Sequence, residues 1–331
     1  MSFIMKKSAY RVKRSTHTKN YTSQIIELFA FFCHKIKWVD NMKNTIEYYY
    51  NFENVSLLKS GKETYIKHKN YIYIFSKITN QEETIEIYNI TMNIDGIYKI
   101  ILNKDNSIFT LYKNELYVLM RIPSKQNMNI KLGEIKLQNK NYKLDRSDWY
   151  DLWTKKNDYF EYQYKHLKKY NYEMLESLNY YIGMAENAIS YIAQNISETK
   201  NIEEKKICHK RVEKENYLNP LFYIIDYRER ELSEYLKYLF LSKKYLDTDI
   251  EPIIKNFRCS KEGYIRLFSR MLYPSFYFDQ YELIINENAS ESKITEIIKR
   301  STEYEVYLKE IYMIINKYAS IKKVDWLWNF N

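Results

Sequence analysis

The chain is poor in the residues that loosen or break structure, with five Gly and four Pro among 331 residues. That scarcity excludes collagen-like, linker-like and disordered compositions, and a 45% hydrophobic content predicts a globular body. The length suits one large domain or two lobes, each able to bury a core. Cysteine is scarce as well. Cys33, Cys208 and Cys259 are far apart and odd in number, which argues against a disulfide framework and fits a reducing compartment. The Cys33-His34 and Cys208-His209 dipeptides lack the CxxC or HxxxH spacing of a zinc site, because adjacent side chains point apart. Long apolar runs are also missing. The stretch IIELFAFFCHKI, Ile25 to Ile36, is shorter than the about 20 apolar residues a membrane-spanning helix needs. No small-residue cleavage site follows it, as a signal peptide would require. It reads as a short amphipathic helix packed on the body or, if Met42 is the biological start, as part of an upstream extension.

What is abundant is Tyr, 36 of them, together with Ile, Lys and Asn. This is the pattern an AT-rich coding sequence imposes, with Tyr serving as an amphipathic packing residue; a tyrosine-rich adhesive surface is the alternative. The net charge is +10, yet its source is local. Residues 1–41 carry Lys6, Lys7, Arg11, Lys13, Arg14, Lys19, Lys35 and Lys37 against Glu27 and Asp40. A nucleic-acid-binding domain concentrates its basic residues on one fold element with readers beside them. Here the excess sits in a poorly patterned arm, so nucleic acid is not expected as a partner.

From Lys62 to Leu137 the pattern is strand-like. ETYIKHKNYIYIFSKI reads as a hairpin turning at Lys69-Asn70. In NQEETIEIYNITMNIDG, Ile87, Ile90 and Ile94 recur at helical spacing, as do Ile85, Tyr88 and Met92, with Asn80 as cap and Gly96 as terminator. IYKIIL and SIFTLYKNELYVLMRIP return to strands, the second broken near Lys113-Asn114. After Pro123 the pattern turns helical. WYDLWTKKNDYFEYQYKHLKKY is a first helix, and a second carries the stripe Tyr181, Ala185, Ala188, Ile192 and Ile196, with Gly183 marking a close approach. Leu221 to Ile225 reads as a short buried strand ending in Asp226, and helices follow through Glu234 to Leu239, Glu262 to Leu272, Glu282 to Ile285 and Lys293 to Ala319. The fold class expected is therefore α+β: a small antiparallel-sheet N-lobe over 42–137, preceded by a basic extension over 1–41, and a mainly helical C-lobe over 138–331.

One loop, ICHKRVEKENYL, carries chemistry. A phosphotransferase of the kinase fold needs a carboxylate to take the proton of the attacking hydroxyl, an Asn and a second Asp to hold magnesium, and a strand Lys paired with a helix Glu to position the phosphates. His209 stands at the His position, Asn216 follows seven residues later, and Asp226 ends the next strand. This order resembles the aminoglycoside phosphotransferase and choline kinase group, whose loop reads HGDxxxxN. The resemblance implies a two-lobed protein-kinase-like fold, with Asn216 and Asp226 as metal ligands and ATP and magnesium as cofactors if the chain is active. Arg211 takes the place of the catalytic Asp and Lys210 that of the Gly. A guanidinium cannot act as a base, and its charge would repel magnesium. The phosphate-cradling loop offers only Gly61. Lys77 is the candidate strand Lys, with Glu83 or Glu86 as partner.

The segments DYFEYQYKHL, SLNYYIGMAENAISYI, ICHKRV and IIDYRERELSEYLKYLF look more narrowly like the spore coat kinase-like proteins of endospore-forming Firmicutes, of the CotS and YutH type. The YutH branch is the nearer, since it too has a degenerate catalytic loop preceded by a Cys-His pair. The resemblance implies a cytoplasmic, mother-cell protein of the spore coat whose partners are other coat proteins. With Arg211 in the loop, the expected function is an inactive kinase-like assembly or interaction module, a pseudokinase that needs no cofactor. The alternative is a divergent small-molecule phosphotransferase in which Glu213 or Glu215 replaces the lost base. A third reading is an anion or nucleic-acid binder that uses the basic arm. Arg211 is expected to pair with Asp226 or another nearby acid.

Overall fold

Two tight turns set the geometry of the N-lobe sheet. Lys69 is left-handed at φ 52°, and Lys113 and Asn114 at 49° and 62°, so each dipeptide reverses the chain in a two-residue hairpin loop. The computed structural model describes residues 42–60, 63–124, 132, 135, 137, 141–164, 172–196, 205–213, 216–287 and 289–328. The basic arm, with the helix expected over Ile25 to Ile36, and Cys33, Gly61 and Glu215 lie outside these.

Helix α1 (Met42–Tyr50) precedes strands β1 (Ser56–Ser60), β2 (Glu63–His68) and β3 (Tyr71–Lys77), then helix α2 (Gln81–Thr91) and strands β4 (Lys99–Ile101), β5 (Thr110–Tyr112) and β6 (Glu115–Arg121). The strands form one antiparallel sheet in the order β1-β2-β3-β6-β4, with β5 also paired to β6. Asn80 caps α2 by accepting from the Glu83 amide, as its position predicts. The helix ends at Thr91, short of Gly96, and it buries Thr84, Ile87 and Thr91 while Ile85 and Met92 stay exposed. Ile87 packs with Ile97, Ile207, Tyr223 and Ile225, so α2 rests on the first strands of the second lobe.

The C-lobe contains α3 (Trp149–Tyr164), α4 (Tyr172–Asn195), the hairpin β7 (Lys205–His209) and β8 (Tyr223–Tyr227), and α5 (Glu229–Leu241). It continues through α6 (Glu251–Phe257), α7 (Lys261–Leu272), α8 (Ser275–Glu287), α9 (Ser292–Lys299) and α10 (Ser301–Asn316). One hydrophobic core runs from Trp149 to Leu327. Its centre is α7, buried at every position from Gly263 to Leu272 and capped by Ser260. The close approach expected at Gly183 is not there, since a methyl group at that position would meet nothing within 4 Å. It occurs at Gly263, where a Cβ would lie 2.6 Å from Glu229 Oε1. Of the predicted stripe on α4, Tyr181, Ala185 and Ala188 are buried, while Ile192 and Ile196 pack at the edge of the core. No helix among the described residues is long and apolar enough to cross a membrane.

Candidate functional site

The loop between β7 and β8 is held from its first residue. His209 is the last residue of β7 and 2% exposed. Its Nδ1 lies 2.7 Å from Glu231 Oε1, its Nε2 lies 2.9 Å from the Tyr217 carbonyl, and the ring stacks on Tyr217 at 4.1 Å. Its backbone amide donates to the same Glu231 oxygen at 2.6 Å. Both ring nitrogens thus face acceptors, and the imidazole ties the start of the loop to its end and to α5. His209 has the position of a structural residue with no group left for catalysis.

Arg211 points into the helical lobe. Its Nε and Nη2 donate to the two oxygens of Asp279 on α8 at 2.5 and 2.9 Å, a bidentate pair. Nη1 donates to the Lys210 carbonyl at 2.7 Å and lies 3.5 Å from Glu234 Oε1. The same Glu234 oxygen accepts from Arg270 at 2.8 and 3.1 Å. Burial opposes ionisation of both acids, but the guanidiniums outweigh it: Arg211 holds Asp279 below the usual carboxylate range, and Arg211 with Arg270 holds Glu234 far below it. Burial and the neighbouring Arg230 push Arg270 down to about 10, while Asp279 and Glu234 outweigh burial at Arg211 and raise it. The expectation that Arg211 meets an acid therefore holds for Asp279 and Glu234, and not for Asp226.

Asp226 is fully buried, and its carboxylate is already surrounded. Oδ1 accepts from Trp149 Nε1 at 2.9 Å and from the Tyr227 amide at 2.7 Å, while Oδ2 accepts from Arg230 Nη1 at 2.8 Å. Arg230 sits one helical turn after Asp226 and also donates to the carbonyls of His209 and Lys210 at 3.1 and 2.9 Å. The cation on Asp226 is thus Arg230. Along the β7–β8 ladder His209 opposes Tyr223 and Asp226 opposes Lys206, so Asp226 sits three residues down the strand from the loop, while Arg211 turns to Asp279 and Glu234. Three residues along a strand is about 10 Å.

An inter-lobe cleft of about 780 Å³ lies on the other side of the loop, lined among others by Lys77, Asn80, Glu83, Arg146, Lys210 and Asn216. Asp226 is not among its lining residues. Asn216 donates to Glu213 at 3.2 Å, and Glu213 is itself exposed. Lys77 pairs with Glu115 across the β3–β6 ladder at 3.0 Å, both half exposed, rather than with α2. Glu83 instead takes Arg146 at 2.8 Å, and Glu86 accepts the amides of Lys143 and Leu144 at 2.9 and 3.0 Å. The two helix carboxylates hold the connection between the lobes and leave Lys77 to the sheet.

These residues do not fit a magnesium nucleotide. A hard cation needs several convergent oxygens. Asn216 lines the cleft while Asp226 does not, both oxygens of Asp226 are occupied, and no group of three or more His, Cys, Asp or Glu among the described residues is arranged to hold a metal. Sequence reasoning missed Trp149, Arg230, Glu231, Arg270 and Asp279. For Arg230 a signal existed, since it stands four residues after Asp226 at the start of a predicted helix. Asp279 and Arg270 lie on distant helices and carried none.

A family model described as "Spore coat putative kinase YutH" matches residues 43–311. The endospore coat-associated protein YutH of Bacillus subtilis is 27% identical over 210 residues, covering 54% of this chain. The alignment spans 61% of that relative, less than two thirds of its length. The crystal structure of an aminoglycoside phosphotransferase from Alicyclobacillus acidocaldarius superposes with a TM-score of 0.50 at 9% identity, covering 80% of this chain and 94% of that one. At that identity the likeness is one of fold: two lobes, an antiparallel sheet and a helical remainder.

Proposed function

The chain belongs to the YutH family of spore coat kinase-like proteins, and from that membership we propose that it is a phosphotransferase-shaped protein without phosphotransfer chemistry, working in the spore coat as an assembly or interaction module. The observation that carries this reading is the commitment of the two decisive positions. Where a base is needed stands a guanidinium locked on Asp279, and the acid expected to hold metal is paired with Arg230 and accepts a hydrogen bond from Trp149. A buried charge tied this way is costly to free, since breaking one partner of a buried pair costs about 3–5 kcal/mol. Neither group is available to bind and release a substrate. The reading places the protein in the mother-cell cytoplasm during coat assembly, with coat proteins as partners and no ATP or magnesium requirement.

Transfer of labelled phosphate from ATP, followed with magnesium and a panel of small alcohols and aminoglycosides, tests this. The expected outcome is no transfer above the protein-free rate. Robust turnover that disappears in Asp226→Asn, with the helical circular-dichroism signal retained, would overturn it.

A further inference from the structure

Three carboxylates of α2 hold the connection that leads into the helical lobe. Glu86 accepts the backbone amides of Lys143 and Leu144 at 2.9 and 3.0 Å, Glu83 takes the Arg146 guanidinium at 2.8 Å, and Glu82 takes the Lys143 ammonium at 3.3 Å. The other side of this short segment belongs to the β7–β8 hairpin. The Leu144 carbonyl accepts from the Ile225 amide at 3.0 Å, the Arg146 amide donates to the Ile225 carbonyl at 2.8 Å, and Lys205 pairs with Asp145 at 2.5 Å. Asp145 thus bridges in parallel to Ile225 on β8, while α2 grips the residues on either side of it.

The apolar contacts of α2 run the same way. Ile87 is 2% exposed and packs with Leu144, Ile207, Tyr223 and Ile225, and Ile90 and Ile94 pack at the edge of that cluster. The two apolar clusters of the sheet, around Phe75 and Leu119 on one face and Ile74 and Met120 on the other, contain none of these α2 residues. By its packing α2 is therefore a member of the helical lobe, although the chain delivers it from the sheet. The sheet has a tie of its own. Leu218, from the loop between β7 and β8 and 3% exposed, packs among Ile74, Tyr98, Val118 and Met120, and its carbonyl accepts from the Tyr98 amide at 2.9 Å.

A hinge between lobes needs a few connecting residues free to absorb the rotation and few contacts crossing the boundary. Here the connection is bonded on both sides, and each lobe lends buried side chains to the other. We propose that α2 and Leu218 are clasps that hold the two lobes in one arrangement, so that the inter-lobe cleft keeps a fixed width and does not close on a ligand. A preformed cleft offers a partner the same surface before and after binding, with little ordering cost. The inference stands apart from the absence of phosphotransfer: transfer of labelled phosphate and the distance between the lobes are separate measurements, and either can fail alone.

Double electron–electron resonance on the full chain tests it. One nitroxide is placed on Asn70→Cys, in the exposed hairpin turn of the sheet, and the other on Tyr172→Cys, at the start of α4 and 74% exposed. Cys33→Ser and Cys259→Ser remove competing thiols, and Cys208 stays because it is fully buried. A second pair within the helical lobe, Tyr172→Cys with Leu246→Cys, gives the width that the nitroxides alone produce. The inter-lobe distribution is expected to be a single peak, less than about twice that width. Removing both ties together, with Glu86→Ala, Arg146→Ala and Leu218→Ala, should broaden the peak about twofold or more. If that variant does not fold, the comparison with the helical-lobe pair decides alone. Two distance populations in the chain with both ties intact, a width about twice the reference or more, or a folded triple variant with an unbroadened peak would overturn the proposal.

Discussion

The loop from Lys210 to Asn216 has two sides, and they differ in where their charges go. On the cleft side Lys77, Lys210 and Asn216 line open space, and the ion pairs there keep about a third to a half of their side chains exposed. On the helical side Arg230, Arg270, Asp226 and Glu234 are paired within the core, and Arg211 and Asp279 extend the cluster at its edge. A working phosphotransferase turns its carboxylates towards the nucleotide. Here the charges of the loop and the following helix are turned inward, into an ionic cluster that joins α5, α7 and α8.

The sharpest way to break this comparison is Arg230→Ala, which leaves Asp226 buried without a cation. It should cost about 3–5 kcal/mol in urea unfolding, and the paired replacement of Arg230 by Met and Asp226 by Leu should recover most of it. Arg211→Ala comes next. Arg211 keeps about a fifth of its side chain exposed, 21%, so the loss should fall nearer the lower end, about 2–3 kcal/mol. A loss under about 1 kcal/mol for either change would mean the cluster behaves like surface ion pairs.

Titration sharpens the same contrast. The folded state holds Lys237 well below its ordinary range, so between the two values the unfolded chain binds the extra proton and stability rises with pH. Unfolding measured from pH 7 towards about 10 should show this climb, at no more than about 1.4 kcal/mol per pH unit, and Lys237→Met should flatten it. Glu234 and Asp279 act oppositely: held low, they stabilise above the ordinary carboxylate range, and that contribution is lost as pH falls below it. The smallest effect belongs to the cleft side. Lys77→Ala should change stability by less than about 1 kcal/mol, because its pair with Glu115 is half exposed.

Much of the fold was legible because local rules set it. The turns at Lys69-Asn70 and Lys113-Asn114, the Asn80 cap and the apolar stripe of α4 each follow from short spacings that one sequence displays. The place of the loop was legible too, since His209 ends β7 and Asn216 falls before β8. What could not be read was the direction in which side chains face. Asp226 looked like a metal ligand because it ends a strand, but strand register alone decides how far it lies from the loop, and that register depends on pairing with β7. Lys77 was matched to α2 by chain order, whereas in the sheet it opposes Tyr117, two residues from Glu115, and pairs with that carboxylate. The close approach expected at Gly183 falls at Gly263 for a similar reason, since it depends on what packs opposite, and at Gly263 that is Glu229 from another helix.

Asp226 is held by Arg230 and Trp149, and the proposal built on this is that it takes no magnesium. Calorimetric titration of the full chain with ATP, with and without magnesium, tests it most directly. The account predicts that magnesium leaves any binding unchanged. Binding tightened about tenfold or more by magnesium, and returned to the magnesium-free level by Asp226→Asn in a protein that still unfolds cooperatively, would contradict it.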